Sequence, residues 1–344
     1  MGGNGFGLRL SVFSVGPVAN AAATRSVGIE REGGPMATRN TGPDESPRDA
    51  VELRRLVGLL DLTDLDGSAT PARIHTLCAR ALRPAPGHEN VPHVAAVCVH
   101  SARVVDARAA LDSFTPPDIA ARPGSRVRLA SVAGGFPSGQ AFLDVKLHEI
   151  RRAIEAGADE IDLVLDRGAF LDADADAGDA KVRLELEACR EVAGAATLKV
   201  ILETGAFIAA DNSERWPGAT DRLRTLARLA IEAGADFLKT STGTLQPGAT
   251  PEVAALLLEE IAAQEEIAAN EAARGGEAAP APARAVGLKV AGGIRRVEDA
   301  LGYLRLVEAA RGPSATGPAH FRIGASALLD EITSRLEASP GNGD

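Results

Sequence analysis

The chain has 344 residues, a formal net charge of −10, 45% hydrophobic residues and only 3% aromatics. An acidic chain is a poor match to a nucleic-acid backbone or an anionic membrane, and so few aromatics leave little surface for stacking single-stranded bases. No apolar run reaches the ~18 residues of a membrane span, and three widely spaced cysteines (Cys78, Cys98, Cys189) form no CxxC or zinc-ligand pattern, which fits reduced thiols in a cytoplasmic protein.

Residues 1–48 are rich in Gly, Asn, Ser, Thr and Pro without periodicity. They read as a disordered leader, or as sequence upstream of a start at Met36. The apolar stretch Leu8–Val18 followed by Ala21-Ala22-Ala23 has a faint likeness to a signal peptide, but Arg9 and Gly16-Pro17 interrupt it. From residue 51 to 336 short apolar runs alternate with longer amphipathic stretches. The predicted strands are Leu56–Asp61, Val94–Val99, Arg126–Val132, Glu160–Leu165, Thr197–Glu203, Phe237–Thr240, Val286–Val290 and His320–Ile323. Helical spacing appears in Phe142–Ala156, Lys181–Ala193, Thr220–Ala233 and Pro251–Glu266. Strands alternating with helices imply βαβ units and a parallel sheet. Eight units over one domain of this length predict a (β/α)8 TIM barrel. A doubly wound sheet would also alternate, but no strand runs into a G-x-G-x-x-G turn.

A repeat supports the barrel. Ala153-Ile-Glu-Ala-Gly-Ala-Asp159 recurs as Ala230-Ile-Glu-Ala-Gly-Ala-Asp236, each copy predicting a helix that stops at glycine and passes directly into a strand. Two stretches look inserted, Ala206–Gly218 and Ala268–Arg284, and residues 337–344 read as a frayed tail. Trp216 falls in the first insertion, as a cap on the barrel mouth or an exposed residue.

Three residues after the repeat's aspartate, one copy carries Asp162 and the other Lys239, each inside an apolar strand. Two further strands carry Lys199 and Lys289 in like fashion. Charges in buried parallel strands are costly unless paired or functional. One reading is an ion-pair network that merely fills the barrel. The other is chemical: a desolvated lysine beside a second cation gives up its proton near neutral pH and attacks a carbonyl. The resulting iminium draws electrons from the neighbouring carbon–carbon bond, as retro-aldol cleavage requires, while a carboxylate such as Asp162 moves protons. Glycine-rich turns close several strands: Glu203-Thr204-Gly205, Ser241-Thr-Gly243, Ala291-Gly292-Gly293 and Gly324-Ala-Ser326. The last two follow strands seven and eight, where TIM barrels frequently hold phosphate on backbone N–H groups. The six histidines show no metal-ligand spacing, and no metal site is expected.

Seven blocks together resemble the deoxyribose-phosphate aldolase family: Asp61-Leu-Thr-Asp-Leu65, Ala95-Ala-Val-Cys98-Val, Gly157-Ala-Asp-Glu-Ile-Asp162-Leu-Val, Leu198-Lys199-Val-Ile-Leu-Glu-Thr-Gly205, Gly234-Ala-Asp-Phe-Leu-Lys239-Thr-Ser-Thr-Gly243, Lys289-Val-Ala-Gly-Gly-Ile-Arg295 and Ile323-Gly-Ala-Ser326. The resemblance implies reversible cleavage of 2-deoxy-D-ribose 5-phosphate to D-glyceraldehyde 3-phosphate and acetaldehyde, in deoxyribonucleotide catabolism, without metal or other cofactor. It assigns the Schiff base to Lys199, tuning of its proton affinity to Lys239, and proton relay to Asp162. Asp61, Thr204 and Lys289 are supporting residues, and Cys98 lies near the pocket. Gly205, Gly243, Gly292, Gly293 and Ser326 match positions around the substrate phosphate. The implied partners are this small phosphosugar, acetaldehyde and further copies of the chain in a dimer or larger homo-oligomer, with no nucleic acid and no membrane. Alternatives are a Schiff-base aldolase or transaldolase for another phosphosugar, or a non-catalytic barrel that binds a phosphometabolite. The chain departs from the family pattern in Asp166-Arg167 after the fourth strand, in Ala327 after Ser326, and in Phe207-Ile208 after Gly205.

Overall fold

A computed structural model of the chain describes residues 47–88, 90–115, 126–170, 175–211, 218–273 and 285–338. Most of the expected leader, Trp216, residues 212–217 and 274–284 of the two expected insertions, and residues 339–344 of the expected tail lie outside the described residues.

Eight parallel strands close into one barrel in sequence order: β1 (Leu60–Asp64), β2 (Ala96–His100), β3 (Arg128–Ala133), β4 (Glu160–Val164), β5 (Thr197–Ile201), β6 (Phe237–Lys239), β7 (Gly287–Ala291) and β8 (Phe321–Ala325). This is the predicted (β/α)8 barrel. The first strand starts later than its sequence suggests. Leu56 and Val57 end the helix Pro47–Val57, and β1 begins at Leu60. Among the described residues no helix is long and apolar enough to cross a membrane.

The alternation inside each strand sorts the side chains. Ile161 and Leu163 of β4, Leu198 and Val200 of β5, Leu238 of β6, and Leu288 and Val290 of β7 join the apolar layer beneath the outer helices. Ile150 of the helix Leu143–Glu155, Leu186 of Ala175–Ala193 and Leu257 of Pro251–Ala273 complete that layer, all fully buried. With period two, the intervening Asp162, Lys199, Lys239 and Lys289 must point into the barrel.

Both repeat copies build the same helix stop. Gly157 and Gly234 sit at φ +105° and +90°, where a side chain is strained. Ala158 N donates to Ala153 O and Ala235 N to Ala230 O, both at 3.0 Å, the Schellman bond that closes a helix. The repeat's aspartates then seed the neighbouring strands: Leu129 N donates to Asp159 Oδ2 at 2.9 Å and Leu198 N to Asp236 Oδ2 at 2.8 Å. The expected insertions are largely helical where described, since Thr204–Asp211 is a helix and Pro251–Ala273 runs on past Glu266.

Candidate active site

Strand pairing brings the predicted charges together. Lys199 Nζ lies 2.5 Å from Glu160 Oε2, 2.9 Å from Asp162 Oδ1 and 3.5 Å from Asp61 Oδ2. Lys289 Nζ lies 2.5 Å from Asp61 Oδ2 and 2.7 Å from Asp162 Oδ2. Lys239 Nζ has one of these carboxylates, Asp162 Oδ2 at 2.7 Å. Arg322 of β8 closes the ring, 2.7 Å from Asp61 Oδ1 and 3.0 Å from Glu160 Oε1. Four inward cations thus meet three carboxylates, and Arg128 adds a 3.6 Å contact to Glu160 from an exposed side chain. Cys98 Sγ donates to Asp162 Oδ2 at 3.8 Å.

The balance of burial and charge sets the protonation states. Burial alone would drive each of these groups neutral. For Asp162 the cations Lys199, Lys239 and Lys289 outweigh burial and hold its pKa well below the ordinary 3.8. Lys289, Arg322 and Lys199 do the same for Asp61, and Lys199 and Arg322 for Glu160. Burial of Lys199 is outweighed by Asp162, Glu160 and Asp61, and its pKa is raised above the ordinary 10.5. Lys289 is raised likewise, with Asp162 and Asp61 outweighing burial. Burial, with Asp162 beside it, pushes the Cys98 thiol up to about 11.

A cavity of about 570 Å³ opens at the C-terminal ends of the strands. Gly243, Gly292, Gly293 and Ser326 line it, as do Asp64, Arg73, Thr242, Thr244 and Arg295. Of the buried charge cluster, Lys239 is the member that lines it. Lys289 is level with Lys239 in the strand pairing but is tied down to Asp61 and Asp162, and strand register separates Lys239 from Lys199. Lys199 pairs with Phe237, whereas Lys239 pairs with Ile201, so Lys239 stands one inward-facing position nearer the mouth. Arg73 is held by Asp64 at 2.5 Å and Asp66 at 3.1 Å. Arg295 is exposed and has no ion pair among the described residues.

Two of the expected site residues lie away from the cavity. Lys199, expected to be a neutral nucleophile tuned by Lys239, is closed off from the cavity at 0% exposure and is stabilised as an ammonium by three carboxylates. Gly205, expected beside the phosphate, is not a cavity residue: Pro247 O would stand 2.0 Å from a Cβ there. Thr204 is fully buried, and its hydroxyl has no hydrogen-bond partner among the described residues. Sequence reasoning missed Glu160 and Arg322. Each is a charge inside a buried strand, the same signal that found Asp162, but each lies at or next to a strand's first residue, where a charge usually faces solvent.

The whole barrel has known counterparts. The profile of the DeoC/LacD family aldolases matches residues 58–331. Human deoxyribose-phosphate aldolase is 36% identical over 295 residues, covering 83% of this chain and 81% of its own length. The deoxyribose-phosphate aldolase of Agrobacterium fabrum is 36% identical over 294 residues, covering 85% and 93%. The solved tetrameric deoxyribose phosphate aldolase of Aeropyrum pernix shares the fold, with TM-score 0.57 at 24% identity, covering 86% of this chain and 100% of that one. A lysine-and-carboxylate cluster under the mouth of a closed eightfold barrel, matched along nearly all of its length, makes this chain a member of the DeoC/LacD aldolase family.

Proposed function

We propose that the protein cleaves 2-deoxy-D-ribose 5-phosphate reversibly to D-glyceraldehyde 3-phosphate and acetaldehyde, through a Schiff base on Lys239. The observation that carries this reading is that Lys239 alone of the clustered lysines lines the cavity and has a single carboxylate partner. Four cations face three carboxylates in the cluster, and the carboxylates are shared unequally. Lys199 has three carboxylates and Lys289 two, and Arg322 does not deprotonate in proteins. Lys239, with one carboxylate partner and the cavity beside it, is therefore the lysine placed to meet a substrate carbonyl.

The chemistry follows from these positions. The Lys239 amine adds to the C1 aldehyde of the open-chain sugar. Asp162, 2.7 Å from Lys239 Nζ, accepts and returns protons as the carbinolamine loses water. The iminium then takes the electrons of the C2–C3 bond while the C3 hydroxyl loses its proton, releasing D-glyceraldehyde 3-phosphate and leaving an enamine. Protonation at C2 and hydrolysis free acetaldehyde and restore the amine. Lys289, held charged beside Asp162, keeps that carboxylate ionised. Asp61 and Arg322 orient Lys289 and Glu160 from below. The backbone of Gly243, Gly292 and Gly293, Ser326 at the start of the last helix, and Arg295 receive the phosphate. The iminium itself is the electron sink, so the reaction as proposed needs no metal.

The same reading takes the protein as a cytoplasmic homo-oligomer in deoxyribonucleotide catabolism. Its three free cysteines and the tetramer of the Aeropyrum pernix relative support it. The test is release of acetaldehyde from 2-deoxyribose 5-phosphate, followed by a coupled alcohol dehydrogenase. Release well above the protein-free rate is expected. A folded protein that binds the sugar phosphate and releases none refutes the reading.

A further inference from the structure

The turn Glu203-Thr204-Gly205 has no part in the chemistry above, yet Glu203 combines a buried side chain with a positive φ. It is the only non-glycine residue at positive φ among the described residues, at +51°, a backbone state that costs a side-chain-bearing residue energy and persists where the surroundings impose it. Its side chain is almost fully buried. Oε1 accepts from the backbone N of Thr242 at 3.3 Å. Among the described residues Oε2 accepts no hydrogen bond, and it lies 3.8 Å from Arg167 Nη1. Arg167 in turn donates to Pro137 O at 3.3 Å. On the far side, Thr242 Oγ1 and Thr244 Oγ1 share a hydrogen bond at 2.8 Å, and Thr244 N donates to Thr242 Oγ1 at 3.2 Å.

These contacts run as one chain around the rim, from the segment after β3, through Arg167 after β4 and Glu203 after β5, to the Thr242–Thr244 turn after β6. That turn lines the cavity and follows Lys239 by three residues. We infer that Glu203 is a positioning residue: with Arg167 as its counter-charge, it holds the Thr242–Thr244 turn in the shape that receives the phosphate end of the substrate. The inference deepens the proposed function and rests on it. A buried carboxylate is suited to the task because a charged acceptor holds a backbone N–H more firmly than a neutral one. The αL backbone of Glu203 turns the chain from β5 into the helix Thr204–Asp211 at once, which keeps the carboxylate under the rim and out of the cavity. Arg167, one of this chain's departures from the family pattern, thereby acquires a structural partner.

The test compares wild type, Glu203→Ala and Glu203→Gln on 2-deoxyribose 5-phosphate and on unphosphorylated 2-deoxyribose. Glu203→Ala should lower the ratio of kcat/KM for the phosphorylated over the unphosphorylated substrate on the order of tenfold, the worth of one hydrogen bond to a charged group. The loss should appear in KM and leave kcat largely in place. Glu203→Gln keeps an oxygen for Thr242 N and should recover most of the ratio. An unchanged ratio, an equal loss on both substrates, or no rescue by glutamine overturns the inference. Should the alanine variant not fold, the glutamine variant and Arg167→Met decide it, with the ratio expected within about threefold of wild type for the first and reduced for the second. If wild type cleaves neither substrate the proposed function fails, and the brace is then judged by inorganic phosphate: it should raise the melting temperature of wild type and not of Glu203→Ala.

Discussion

Replacing Lys199 and Lys239 separately by methionine separates a structural lysine from a reactive one. Lys199→Met removes a fully buried cation from three carboxylates. Breaking a buried pair by deleting one partner costs about 3–5 kcal/mol. Here Asp162 keeps Lys239 and Lys289, Asp61 keeps Lys289 and Arg322, and Glu160 keeps Arg322. No carboxylate is stranded, so the low end applies, ~3 kcal/mol, or a fall in melting temperature of about 6 °C. Lys239→Met removes one contact, at the cavity wall, and leaves three cations against three carboxylates. Its cost should be ~1 kcal/mol or less, about 2 °C. Turnover should run the other way. Lys239→Met loses the nucleophile and should fall by on the order of 10⁴-fold or more, while Lys199→Met should keep measurable cleavage below its melting temperature. Differential scanning calorimetry and the coupled acetaldehyde assay read both quantities. A Lys199 variant that melts like wild type but is inert, beside an active Lys239 variant, refutes the assignment.

Other consequences are as concrete. Asp61, Asp162 and Glu160 have folded-state pKa values below their ordinary ones, so their contribution to stability is present above about pH 4 and lost as pH falls through the acid range. Lys199 and Lys289 are raised, so theirs is present below about pH 10.5 and lost above it; melting temperature should plateau between and drop on both sides, and a monotonic rise toward low pH would contradict the ion cluster. Arg295→Met should raise KM for the phosphorylated sugar by up to about tenfold, and an unchanged KM removes Arg295 from the phosphate site. Gly234→Ala puts a side chain at φ +90°, 3.2 Å from the Arg190 stem, and should cost about 1–2 kcal/mol, read as a shift in urea midpoint. The three thiols are buried, with pKa values pushed to between about 11 and about 12; a thiol reagent at pH 8 should label none in the native protein and all three in urea.

The barrel was legible because its strands are short apolar runs between amphipathic helices, and because the repeat exposed two identical joints at Gly157 and Gly234. The first strand was misplaced because Leu56 and Val57, buried at a helix end, merge with Leu59 and Leu60 into one apolar run. The charged cluster was legible too, since Asp162, Lys199, Lys239 and Lys289 interrupt otherwise apolar strands. Which lysine meets the cavity was not. The pairing of Lys239 with Ile201, not with Lys199, is a property of barrel closure, and Lys289, level with Lys239, is drawn to Asp61 and Asp162 from distant strands; no local pattern encodes either. Glu203 escaped notice for a related reason. Its partners, Arg167 and Thr242, sit 36 and 39 residues away and meet only at the rim.

The central claim is that Lys239 forms the Schiff base. Incubation with 2-deoxyribose 5-phosphate, reduction with sodium borohydride and peptide mass spectrometry test it most directly. The account predicts a stable adduct on the peptide containing Lys239, present in Lys199→Met and absent in Lys239→Met. An adduct on Lys199, or none at all with the sugar phosphate bound, would contradict it.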